Sequence, residues 1–133
     1  MQNGWMPVAV MLAALFLGAF GAWAGEGYDR DGAAVQKMAR IVLNMSHYPS
    51  ETDKSALKAI AERATTSEHE RAIATAIRRI EHTPTDADRQ RLQAIAEDAS
   101  APGPVRDLAR AVLGFEHQPT EEAQARLRAI LDG

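Results

Sequence analysis

The chain contains no cysteine. That excludes disulfides, thiolate metal sites, cysteine nucleophiles and a lipidated-cysteine anchor. Aromatic residues are only 5% of the total, so any core must be assembled from Ala, Leu, Ile and Val. β-Branched residues are scattered and no alternating apolar run persists, which argues against a sheet. A basic excess is missing too: 15 Lys and Arg stand against 18 Asp and Glu, a formal charge of −3 with both signs interspersed. Nucleic-acid binders carry a basic stripe or a strongly basic balance, so nucleic acid is set aside as a partner. The sequence has no glycine-rich phosphate loop, serine nucleophile elbow, His-Glu-x-x-His zinc helix or haem-attachment motif.

From Val8 to Phe20 the sequence reads VAVMLAALFLGAF, uncharged and apolar, and Ala22-Trp23-Ala24 follows. This is the layout of a secretory signal peptide cleaved after Ala24, although no Lys or Arg precedes the apolar stretch. The alternative is an uncleaved anchor. Trp5 to Ala24 is long enough to span a bilayer. Trp5 and Trp23, about 27 Å apart along a helix, would suit its two interfaces. The expected location is therefore periplasmic or secreted, or else anchored to the membrane through residues 1–24. Residues 25–32 (GEGYDRDG) read as a linker. Removing 24 of 133 residues leaves 109, enough for one modest core.

The strongest signal is an ungapped repeat of 35 residues. His47, His82 and His117 align, followed in register by Pro49, Pro84 and Pro119, then by Ser50, Thr85 and Thr120. Leu57, Leu92 and Leu127 align, as do Ala59, Ala94 and Ala129, and Ile60, Ile95 and Ile130. Upstream, Met38 aligns with Ile73 and Leu108, Ala39 with Ala74 and Ala109, Val42 with Ile77 and Val112, and Met45 with Ile80 and Phe115.

Each repeat reads as a helical hairpin. Ser50, Thr85 and Thr120 suit N-caps, and acidic residues follow them at the positive end of the helix dipole. Apolar residues three and four apart, as at Leu57, Ile60, Ala61 and Ala64, mark one buried stripe. Pro104 fits a first turn, which has no amide bond to lose. The proline after each histidine stops the helix before it. The expected helices are 33–46, 50–64, 68–81, 85–99, 103–116 and 120–132. They give an all-α fold: a short right-handed α-α superhelix of about 2.5 hairpins over residues 33–133. The last hairpin lacks its second helix, so the helix carrying Leu127 and Ile130 is expected to be an open docking edge.

Asp98 and the run Val105-Arg106-Asp107-Leu108-Ala109-Arg110-Ala111-Val112-Leu113-Gly114 resemble a HEAT-like repeat of the α-solenoid class. The middle unit keeps Arg71 and Ala74 but has Arg78 and Arg79 where Leu113 and Gly114 stand. The first keeps Val35, Ala39 and Leu43, with Gln36 in place of the arginine. The resemblance implies a scaffold or binding surface. The expected function is thus an extracytoplasmic protein-binding or adaptor module, not an enzyme, with an unidentified protein partner. The alternative is an envelope metal- or haem-handling protein using the repeat histidines and methionines.

No residue is assigned a catalytic, cofactor-binding or metal-ligating role from sequence, and no cofactor is expected. Stacked repeats sit about a helix diameter apart, roughly 10 Å. Ligands of one zinc ion must each lie about 2.0–2.1 Å from it. On that spacing His47, His82 and His117 cannot share an ion, and they are expected to cap helix C-termini instead. Met38 and Met45, with His47, suit Cu(I) chemically. Their repeat equivalents are core residues, and methionine is a common core filler. Glu68, His69 and Glu70 read as a solvated helix start, with no nucleophile to complete a dyad.

Overall fold

The computed structural model describes residues 32–133, so the apolar segment 1–24 and most of the linker lie outside the described residues. Residues 32–44 are helical (α1). Five helices follow: α2 Glu51–Glu62, α3 Glu68–Arg78, α4 Asp86–Ala96, α5 Gly103–Leu113 and α6 Glu121–Asp132. No strand occurs among the described residues, and none of their helices is long and apolar enough to cross a membrane.

The helix starts follow the local chemistry. Ser50, Thr85 and Thr120 each accept the amide of the residue three positions on, at 3.0, 3.1 and 3.1 Å. Each satisfies one donor that a first turn otherwise leaves open. The ends come earlier than the repeat pattern suggests: α3 stops at Arg78 rather than 81, and α5 at Leu113 rather than 116. Met45, Ile80 and Phe115 have left the helix but remain buried. Their amides bond three residues back, to Val42, Ile77 and Val112, so each helix tightens before it breaks. Ala64 lies beyond α2 and is exposed, so the α2 stripe rests on Leu57 and Ile60.

The second helix of each unit is the inner one. Met38, Ala39 and Val42 of α1, Ile73, Ala74 and Ile77 of α3, and Leu108, Ala109 and Val112 of α5 are all fully enclosed. The outer helices α2, α4 and α6 add Leu57, Leu92 and Leu127, each 0% exposed. Helix α2 packs on α3, α4 on α5, and α6 on α5.

The open edge expected at α6 is not there. Ala123 is buried, and Leu127 and Ile130 are buried like their equivalents in the other outer helices. Val35 and Gln36 of α1 line one crevice with Ile130 and Gly133 of α6. The first described helix thus lies beside the last, and the array closes on itself with approximate three-fold symmetry. Leu127→Ala is expected to cost about 2–5 kcal/mol in urea denaturation, as Leu92→Ala would. An unpartnered terminal helix would lose far less.

Candidate metal centre

The three histidines occupy equivalent loops at one end of the ring, between an inner helix and the next outer one. The sequence forces an abrupt reversal there. A buried apolar anchor (Met45, Ile80 or Phe115) stands two residues before each histidine, and a buried proline (Pro49, Pro84 or Pro119) two residues after. The chain makes the bend at the histidine, whose φ is 67° at His47, 73° at His82 and 64° at His117. The Tyr48 and Gln118 amides donate back to the Ser46 and Glu116 carbonyls at 2.7 and 2.6 Å, the i to i+2 bond of a γ-turn. With positive φ this turn is rare and strained. No other described non-glycine residue has positive φ.

These turns interlock. The His82 amide donates to the His47 carbonyl at 2.7 Å, the His117 amide to the His82 carbonyl at 2.7 Å, and the His47 amide to the His117 carbonyl at 2.5 Å. Three backbone bonds therefore form a closed cycle on the pseudo-three-fold axis. The side chains follow the backbone. Ring centroids are 5.2 Å apart for His47–His82, 5.2 Å for His47–His117 and 5.0 Å for His82–His117. One ring nitrogen from each lies within 4.8 Å of the others, and all three side chains are exposed. Nδ1 of His82 and Nδ1 of His117 are hydrogen-bonded at 3.2 Å. His47 Nδ1 is hydrogen-bonded to the Ser46 hydroxyl at 3.0 Å.

This corrects the expectation that the histidines cannot share an ion. The 10 Å separation belongs to a linear stack, whereas closure brings equivalent positions of all three repeats to one axis. The capping account is corrected as well: the backbone amides of the histidines bond one another, and the three rings face one another. Two ligands of a tetrahedral zinc with bonds of about 2.0–2.1 Å lie roughly 3.3 Å apart. The His82–His117 nitrogens already stand at 3.2 Å. Met38 and Met45 are buried at 0% and 4% exposure, in the core as their repeat register implied, and add no thioether to the exposed cluster.

The other sequence candidate is not a solvated helix start. Glu70 is fully buried and forms a capping box: its carboxylate accepts the Ser67 amide at 3.0 Å, while the Ser67 hydroxyl accepts the Glu70 amide at 3.2 Å. His69 has a partner that spacing could not reveal, Asp98 Oδ2 at 3.0 Å. The Ser100 hydroxyl donates to Asp98 Oδ1 at 2.6 Å, so it orients the acid rather than facing the imidazole as a nucleophile. The Ser100 hydroxyl and amide, and then His69, hold the Asp98 carboxyl below its ordinary pKa. A carboxyl lowered in the fold contributes stability above its ordinary pKa, and that contribution disappears as pH falls through the lowered value. Ser100→Ala is expected to move the Asp98 titration upward, read by NMR of the carboxyl carbon.

Positive φ costs a side-chain-bearing residue about 1–2 kcal/mol that glycine avoids. His82→Gly is therefore expected to be about 1 kcal/mol more stable than His82→Ala in chemical denaturation. Equal stability of the two variants would show that the turn does not hold this position at positive φ. Comparison with protein-family models, curated proteins and solved structures found no match for this chain, so the site is read from its own geometry.

Proposed function

We propose that the protein handles a divalent first-row transition metal, held by His47, His82 and His117 on the three-fold axis. One observation carries this reading: three exposed imidazoles stand at three strained turns where glycine would fit the backbone better, with one ring nitrogen of each within 4.8 Å of the others. Strained backbone persists where the surrounding structure enforces it, and it clusters at functional sites. An all-imidazole set suits Zn(II), Cu(II) or Ni(II). Cu(I) would draw on thioethers, which lie in the core.

Binding, not catalysis, suits the setting. Three-histidine sites that activate water work in shaped, water-excluding cavities, and here all three ligands are on the surface. A porphyrin needs a broad apolar slot, and the one large hydrophobic side chain exposed among the described residues is Tyr48. The adaptor reading drew on the HEAT-like resemblance and on an open α6 edge, and burial of Leu127 and Ile130 removes the second of these supports. The HEAT-like resemblance fits a hairpin-repeat scaffold used here to gather ligands rather than to offer a concave face. We place the site outside the cytoplasm, from the signal-like layout of residues 1–24.

Zinc titrated into the metal-free chain is expected to bind at one ion per chain by calorimetry. At a free concentration of about 100 times Kd it should add about 2.7 kcal/mol to stability. His82→Gly, which keeps the backbone unstrained, should weaken binding at least tenfold. Unchanged affinity in His47→Gly, His82→Gly and His117→Gly alike would overturn the assignment.

A further inference from the structure

The ring is least symmetric beside His82. At the register where the first and third repeats carry Leu43 and Leu113, the middle one carries Arg78; at the next, where they carry Asn44 and Gly114, it carries Arg79. The other two units show that the fold does not require arginine at these positions. The pair lines a cavity of about 420 Å³ together with Tyr48, Lys54, Glu81 and His82 itself. An adjoining hollow of about 250 Å³ is lined by Lys54, Thr75 and the same two arginines. Three cations and one of the proposed metal ligands thus border the same space.

Their charges are compensated only in part, and the Glu81 carboxylate borders the same space. Arg79 reaches the buried carboxylate of Asp88 at 3.3 Å. Lys54 approaches Glu51 only to 3.9 Å, and that glutamate is 93% exposed, a pairing worth little in water. Arg78 has no ion-pair partner among the described residues. A divalent ion on neutral imidazoles would add two further positive charges alongside. Three protein ligands also leave a tetrahedral ion one open position.

We infer that the metal is held together with a small oxyanion, carboxylate or phosphate, whose charge lies among Lys54, Arg78 and Arg79 and whose oxygen fills the position the three imidazoles leave open. Guanidinium groups suit this task because their fork of donors matches carboxylate and phosphate oxygens. The inference rests on the metal-binding reading of the histidines.

Cobalt(II) separates the two ideas, since its visible spectrum reports each ligand it gains. In the cobalt-loaded chain, acetate and phosphate are each expected to change that spectrum saturably, and the tighter of the two identifies the anion class. Arg78→Leu, the residue both other repeats carry, should weaken the anion at least tenfold. Lys54→Gln, which places at this register the side chain that Gln124 supplies in the third repeat, should weaken it similarly and serves if the first variant folds poorly. Arg128→Gln removes a charge from α6 away from the cavity and should leave anion affinity unchanged. Cobalt bound with a spectrum indifferent to both anions would overturn this inference and leave the metal site standing. So would equal anion affinities in the wild type, Arg78→Leu and Lys54→Gln. Failure to bind cobalt at all would overturn both.

Discussion

Three backbone hydrogen bonds, passed from one histidine to the next around a closed cycle, set the geometry on which the rest of this structure depends. Helical hairpins joined by short connections ordinarily stack into an open array, each touching only its neighbours. Here the third unit returns to the first. The cycle requires the three turns to meet at one axis, and once they do, α1 lies beside α6 and covers it. Leu127 is then as enclosed as Leu57 and Leu92. An open array must shield its terminal apolar faces with polar caps, and in the ring α1 and α6 shield each other.

The same closure turns a repeated residue into a cluster. A side chain at one register of an open array recurs at a fixed spacing, and its copies never meet. In a three-fold ring, residues near the axis converge and those far from it diverge. His47, His82 and His117 lie near the axis; Ala59, Ala94 and Ala129, equally regular in sequence, lie exposed on the outer helices. The cost is local strain at three positive-φ positions, and packing on both sides of each turn enforces it. A buried anchor holds one side, and a buried proline with a capped helix holds the other.

Departures from the repeat carry the remaining information. Where three units share a backbone, each serves as a reference for the others, so Arg78 and Arg79 stand out as residues the fold does not require. Glu70 departs likewise, occupying the register of Val35 and Val105 while fully buried. A short capping serine lets its carboxylate close a capping box there. Asp88 is buried where Ala123 stands in the third unit, and Arg79 reaches it from the end of α3. These substitutions distinguish one side of the ring from the other two.

The sequence by itself determined the secondary structure and the core. Helix starts followed from Ser50, Thr85 and Thr120, the breaks after the inner helices from the prolines beyond them (though α3 and α5 end three residues earlier than expected), and most buried positions from apolar spacing. All of these rest on interactions within a few residues, which a linear pattern records directly. Only the tertiary structure decided that the array closes, because closure depends on the angle between successive hairpins, and small differences in side-chain packing accumulate into it over three units. The meeting of the histidines, the His69–Asp98 pair and the cavity beside His82 are consequences of that angle. A repeat period of 35 residues fixes which residues are equivalent, but the distance between equivalents belongs to the curvature of the array.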